Sequence, residues 1–126
     1  MNQYEWLDDY LSKKTGVTKD FKVEWGWNRY MVGGKMFVAR CCPDIKYKDC
    51  GGREIITLKC DPLLLEILIK EHEEIIPGFY MDKRNWISVF LDGALDEQLL
   101  HDLCDQSYKL VFNKLTKKLQ NEIISA

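Results

Sequence analysis

The order of hydrophobic periods along this chain predicts an α+β domain: an antiparallel sheet of about five strands, covered on one face by helices, in the order α-β-β-β-β-α-β-α. Three observations carry that expectation. Apolar spacing switches from helical to alternating near Phe21 and returns to helical after Asp61. A glycine pair, Gly33-Gly34, joins two strand-like runs. Most links between strands are too short for the crossovers that parallel pairing needs.

Taken in order, Tyr4, Leu7 and Leu11 recur at i, i+3 and i+7 behind Asn2 as a cap, so the chain opens with an amphipathic helix ending near Thr15-Gly16. Phe21, Val23 and Trp25 then alternate with Lys22 and Glu24, the pattern of a half-buried strand. Tyr30 to Ala39 (YMVGGKMFVA) reads as a hairpin, because both central residues of its tight turn need positive φ. A phosphate-loop reading of the same "GGK" fails: Arg29 stands where the first glycine is required and Met36 where Ser or Thr should follow the lysine.

Pro43 to Gly52 is a polar loop, and Arg53 to Cys60 a further strand with Ile56, Leu58 and Cys60 on one side and Thr57 and Lys59 on the other. Asp61-Pro62 starts a helix, Asp as cap and Pro in the first turn, which runs from Leu63 to His72 and stops by Pro77-Gly78. Trp86 to Leu91 is the last strand. Asp92-Gly93 turns the chain toward Asp96, the cap of a long final helix with Leu100, Leu103, Cys104, Ser107, Val111 and Leu115 at helical spacing. Thr116 to Ala126 is read as a short basic tail.

With 126 residues, 46% of them hydrophobic, the chain is expected to fold as a single domain over residues 1–126, without metal or disulfide staples. A net charge of -2 weighs against a strong non-specific nucleic-acid binder but leaves room for a local basic face. Five cysteines are an odd number, and MNQYEWLDDYL has neither a basic start nor an apolar run, which together point to reduced thiols in the cytoplasm. The apolar run Leu63 to Ile69 is broken by Glu66 and is too short to cross a bilayer.

Few groups suggest catalysis or metal binding. Cys41 and Cys42 are adjacent and would point to opposite faces of a strand, no C-x2-C pair exists, and His72 and His101 fall on different helices. Ser107 sits within a helix rather than on a strand-to-helix turn, where a nucleophile is displayed, so it reads as bonding a nearby carbonyl or a neighbouring element. Asp8-Asp9 and Glu73-Glu74 read as solvated helix faces. No enzymatic activity, metal or cofactor is expected.

The remaining candidate is MDKRNWISVFLDG, Met81 to Gly93, where Lys83, Arg84 and Asn85 form a polar step beside Trp86. Lys59 closes the preceding strand, and Lys109, Lys114, Lys117 and Lys118 make the C-terminal segment locally basic. Phosphates bind where such side chains converge, and an aromatic ring or amide beside them stacks or hydrogen-bonds. The plainer alternative is that Lys83 and Arg84 keep the approach to a half-buried strand soluble.

VGGKMFVA (Val32 to Ala39), ITLKCDP (Ile56 to Pro62), IIPGFYMDKRNWISVFLDG (Ile75 to Gly93) and DQSYKLVFNKLTKK (Asp105 to Lys118), in this order, resemble the MmcQ/YjbR-like family over nearly the whole chain. The resemblance implies a CyaY/frataxin-like α+β sandwich of the kind described as a double-wing DNA-binding domain in bacterial proteins. It carries recurrent polar positions onto Lys59, Lys83, Trp86, Ser107, Tyr108 and Lys118. Thr116 stands where the family often has Pro and is expected to lengthen the final helix; Asn85 stands where it often has His.

The expected site therefore comprises Lys59, Lys83, Arg84, Asn85, Trp86, Ser107, Tyr108, Lys114, Lys117 and Lys118, gathered as one face for DNA. A second expectation is a module binding an acidic protein or a small anion through the same face. A third, following the frataxin-like fold, is weak iron binding by Glu5, Asp8 and Asp9, set against the simpler reading of acids favoured near a helix start.

Overall fold

The structure, a computed structural model, describes residues 4–126, so the expected Asn2 cap lies outside the described residues. Helix α1 (Trp6–Ser12) leads into β1 (Val17–Lys22), β2 (Trp27–Val32), β3 (Lys35–Cys41) and β4 (Ile55–Lys59). Helix α2 (Pro62–Glu71), β5 (Ile75–Pro77), β6 (Trp86–Phe90), α3 (Glu97–Phe112) and α4 (Lys117–Ser125) complete the chain. The six strands form one antiparallel sheet in the order β1-β2-β3-β4-β6-β5. The α+β class and a sheet with helices on one face hold, with an additional strand and an additional helix.

Local chemistry explains the elements that behave as expected. Gly33 and Gly34 have φ of 59° and 77°, the left-handed turn that the β2–β3 hairpin needs. The Asp61 carboxylate accepts the Leu63 N–H at 2.9 Å and caps α2 with Pro62 in its first turn. Asp96 accepts the Leu99 N–H at 3.1 Å and caps α3.

Alternation then divides the sheet. Tyr30, Val32, Val38, Ile56, Leu58, Ile87 and Val89 are buried on the face toward the helices, where they meet Leu7, Leu11, Leu100, Leu103 and Cys104. The register shifts between Tyr30↔Val38 and Met31↔Met36, so β3 carries one extra residue, Phe37. This bulge lets consecutive residues Phe37 and Val38 both enter the helix-side core. The opposite face has a second, smaller core of Trp27, Ala39, Cys41, Cys50, Ile55 and Phe90, to which only strands and loops contribute.

Four expectations are corrected. β1 runs from Val17 to Lys22, and the alternation read into Phe21, Val23 and Trp25 does not bury them: they are 55%, 77% and 56% exposed. Val23 and Trp25 lie beyond the strand, and Phe21, opposite Asn28, stands near its end while α1 meets the strand at Lys19. Helix α1 ends at Ser12 rather than near Thr15-Gly16. Helix α2 closes at His72 as expected, but β5 intervenes before Pro77-Gly78, so Pro77 ends a strand rather than the helix.

The last correction concerns Thr116, which breaks the final helix instead of lengthening it. Thr116 is extended (φ -62°, ψ 152°), and its hydroxyl accepts the Leu119 N–H at 3.2 Å as the cap of α4. The buried Gln120 amide donates back to the Leu115 and Asn113 carbonyls at 2.9 and 3.3 Å, satisfying groups freed by the break. Residues 116–126 are therefore a docked helix rather than a tail: a Cβ on Gly33 would meet Leu115 Cδ1 at 2.6 Å and Leu119 at 3.2 Å, and one on Gly16 would meet Ile123 at 2.5 Å.

Candidate functional site

The residues expected to form one basic face divide among separate environments. Lys59 and Lys114 are brought together: burial, then the neighbouring Lys114 ammonium, hold the Lys59 pKa below the usual lysine value. The same locality contains a carboxylate. Asp82 accepts the Arg84 N–H at 2.9 Å and the Asn85 amide at 2.6 Å, and its charge acts on both Arg84 and Lys59.

Of the other members, Lys83, Trp86 and Tyr108 have structural tasks, whereas Lys117 and Lys118 are exposed. Lys83 Nζ donates to the Gly78 carbonyl at 2.6 Å, and its charge acts on Cys50, in the core of the sheet's opposite face. Trp86 is buried opposite Lys59, and its backbone carbonyl accepts the Gly78 N–H. The Tyr108 hydroxyl donates to the Thr15 carbonyl at 2.5 Å, while its ring stacks on Phe112 and meets Phe37 edge-on. Lys117 and Lys118 open α4, whose Leu119 lies against the β2–β3 turn.

Ser107 is fully buried and replaces a rung of the sheet. The β3–β4 ladder runs to Val38↔Leu58, after which Lys59 and Phe37 would be the next partners. There the Ser107 hydroxyl accepts the Lys59 N–H at 2.9 Å and donates to the Phe37 carbonyl at 2.5 Å. It ties α3 to both strands and presents no polar atom for a ligand. The expectation that Ser107 contacts DNA is corrected by this burial; the expectation that it bonds a neighbouring element holds.

On the first helix, Asp8 accepts from Lys19 and Tyr30, both at 2.6 Å, and Asp9 pairs with Lys13 at 2.8 Å. Lys19 first, then Tyr30, hold the Asp8 carboxyl below the usual carboxylate range. Among the described residues no three His, Cys, Asp or Glu side chains gather as metal ligands. The five cysteines are free thiols; Cys42 is exposed, and burial pushes those of Cys41 and Cys104 up to about 12.

A concavity lies elsewhere. On the helix-free face a groove of about 840 Å³ is floored by β2 and β3 through Trp27, Arg29, Met31 and Met36. The β1–β2 turn contributes Trp25, whose ring meets Trp27 edge-on at 5.1 Å. The loop after β3 contributes Asp44, Lys46 and Tyr47, and the loop after β5 contributes Phe79, Tyr80 and Met81.

Hydrogen bonds position these loops. Buried Thr57 and Ser88 share a hydroxyl bond of 2.7 Å across β4 and β6, and Ser88 Oγ accepts the Phe79 N–H at 2.9 Å, which fixes the start of the aromatic segment. Tyr47, Phe79 and Tyr80 form a ring cluster with centroids 4.7 to 5.4 Å apart, and the Tyr47 and Tyr80 hydroxyls bond to each other. Tyr80 is held at φ 58°, unfavourable for a side chain of its size, and is 66% exposed.

Sequence reasoning missed this groove because its aromatics come from three separated stretches, residues 25–27, 47 and 79–80, each of which alone reads as strand, hairpin or loop. Arg29 is engaged by Asp20 through two bonds of 2.8 and 2.6 Å, and Glu24 lies 3.9 Å from Lys22. The arrangement is suited to reversible binding of an apolar or aromatic group: rings for stacking and three methionines that adapt in shape, within a rim that also carries Glu24, Arg29, Lys35, Asp44 and Lys46.

The YjbR family model matches residues 12–110. Uncharacterized protein YjbR of Escherichia coli strain K12 is 25% identical over 118 residues, which span 94% of each chain. Uncharacterized protein YbdF of Escherichia coli O157:H7 is 32% identical over 94 residues, 75% of this chain and 71% of that one. The crystal structure of Deinococcus radiodurans protein DR2400, family-model domain DUF419, is similar with a TM-score of 0.80 and 28% identity, over 98% of this chain and 88% of that chain.

Proposed function

The chain belongs to the YjbR family, and on that footing we propose that it is a non-catalytic binding domain that receives its ligand in the groove on the helix-free face of the sheet. The observation that carries this reading is the convergence of Trp25, Trp27, Tyr47, Phe79 and Tyr80 on one cavity of about 840 Å³, within the size range of small-ligand sites. Two of these rings, Trp25 and Tyr80, are more than half exposed, and an unfavourable backbone angle at Tyr80 marks a segment held in place by its surroundings.

A second reading, DNA binding, is favoured by one observation: the juxtaposed Lys59 and Lys114 ammonium groups. Two like charges side by side are relieved by an anion such as a phosphate. The nearby Asp82 carboxylate and the diversion of Lys83 to Gly78 limit how much phosphate charge that patch can neutralise, so we place this reading second.

Amide shifts measured on adding small aromatic compounds, and separately a short DNA duplex, distinguish the two. The first reading expects shifts over residues 25–36, 42–47 and 79–81 with the aromatic compounds, lost in Trp25→Ala and Tyr80→Ala. Shifts confined instead to Lys59, Arg84 and Lys114 with duplex, weakening as salt rises, would overturn it in favour of DNA.

A further inference from the structure

From the charges around the groove we infer, building on the binding role proposed above, that its ligand is a planar aromatic monoanion, an arene bearing one carboxylate or sulfonate. The lining sets the body of the ligand. Trp25 and Trp27 are in edge-on contact with each other at 63°, so a ring lying against the pair finds both a face and an edge to pack on. Met31, Met36 and Met81 supply polarisable thioethers that tolerate variation in ring shape.

The rim sets the charge. Arg29 is neutralised by its paired bonds to Asp20, and Glu24 faces Lys22. The Asp44 carboxylate accepts the Lys46 backbone N–H at 2.9 Å and joins none of the ion pairs among the described residues. Lys35 and Lys46 line the groove, and none of the ion pairs among the described residues includes either of them. Two unmatched ammonium groups against one carboxylate leave the lining one positive charge in excess.

Lys46 is the better placed of the two, its ammonium lying 5.3 Å from the centre of the Tyr47 ring, so the cation stands beside the aromatic surface that would hold the arene. A single negative charge complements that excess. A polyphosphate or a nucleic-acid backbone would bring several charges to a lining that already holds two carboxylates, and an aromatic cation would meet the wrong sign.

The test uses the indole N–H signals of the whole protein, titrated with 2-naphthoate and with its neutral isostere 2-naphthamide. Of the four tryptophans, Trp25 and Trp27 line the groove, whereas Trp6 packs on His101 and Trp86 is buried in β6. The expected result is a saturable, one-to-one shift of the Trp25 and Trp27 signals with naphthoate, and binding of the amide weaker by about fivefold, the worth of one exposed charge pair. Lys46→Gln, on a solvent-exposed loop, should bring naphthoate to the affinity of the amide.

Equal affinity for the acid and the amide would overturn the charge preference while leaving the groove as a binding site. No shift of Trp25 and Trp27 with either compound would overturn both the inference and the binding role on which it rests. Tighter binding of naphthoate with no change in Lys46→Gln or Lys35→Gln would also refute the inference, because the attraction would then arise outside the groove.

Discussion

Replacing Ser107 by Ala tests whether a single hydroxyl stands in for a rung of the sheet. The substitution strands two backbone groups, the Lys59 N–H and the Phe37 carbonyl, which the hydroxyl now joins at 2.9 and 2.5 Å. An unsatisfied buried polar group costs about 1 to 3 kcal/mol, so the pair sets a range of roughly 2 to 6. Lys59 is only partly buried and its N–H regains water more readily than the carbonyl, which places the expected loss near 3 kcal/mol.

That is a large part of the roughly 6 to 19 kcal/mol total stability typical of a chain this long. Urea unfolding is the assay: with a slope of about 1.5 kcal/mol per molar, the midpoint should fall by about 2 M at unchanged slope. Hydrogen exchange supplies a local readout, since the Lys59 amide should lose protection before the centre of β4 does. A midpoint shift under about 0.5 M, with the Lys59 amide still protected, would refute the bridging role.

Two further outcomes follow from the geometry. Gly33→Ala should cost about 1 to 3 kcal/mol, because the residue is held at φ 59° and the new Cβ would meet Leu115 at 2.6 Å; circular dichroism melting checks it, and an unchanged midpoint would show that α4 is not docked on the turn. Acid should destabilise the fold. Hydrogen bonds from Lys19 and Tyr30 depress the Asp8 pKa, and at Asp105 burial opposes ionisation but is outweighed by Lys14 and Tyr10. Carboxylates depressed in the folded state stabilise it fully above the ordinary carboxylate value and lose that contribution as pH falls through the folded value. Urea midpoints between pH 6 and pH 3 should therefore fall less steeply in Asp8→Asn and Asp105→Asn than in the parent, and identical slopes would contradict the assignment.

Elements specified by neighbouring residues were legible in the chain. Gly33-Gly34, Asp61-Pro62 and Asp96 each act through a turn or cap completed within a few residues, so their chemistry is visible without the fold. β5 was not, because three residues carry no period and the strand exists through pairing with β6. Thr116 stands where the resembled family often has Pro, which suggests a longer helix, yet its cap on the Leu119 N–H spans the same three residues as that of Asp96, and Gln120 folds back to complete the break.

The candidate sites divide in the same way. Lys59 and Lys114 lie far apart in sequence, and their meeting depends on where α3 crosses β4, which Ser107 fixes. Phe21, Val23 and Trp25 looked like a buried alternating face, yet whether a helix lies above them is a tertiary fact. The groove could have been suspected only by asking why Trp25, Tyr47 and Tyr80 occur in turns and loops, where large rings gain little unless they meet one another.

The strand order bears on how the molecule escapes assembling into fibres. At one border the final strand is only three residues long and ends in Pro77, whose missing N–H denies an incoming chain its template. The opposite border presents Lys19, Asp20 and Lys22, so any newcomer must bury charge in order to continue the ladder. Concentrated solutions should accordingly resist amyloid growth, and the vulnerable side is the one guarded by those three removable charges.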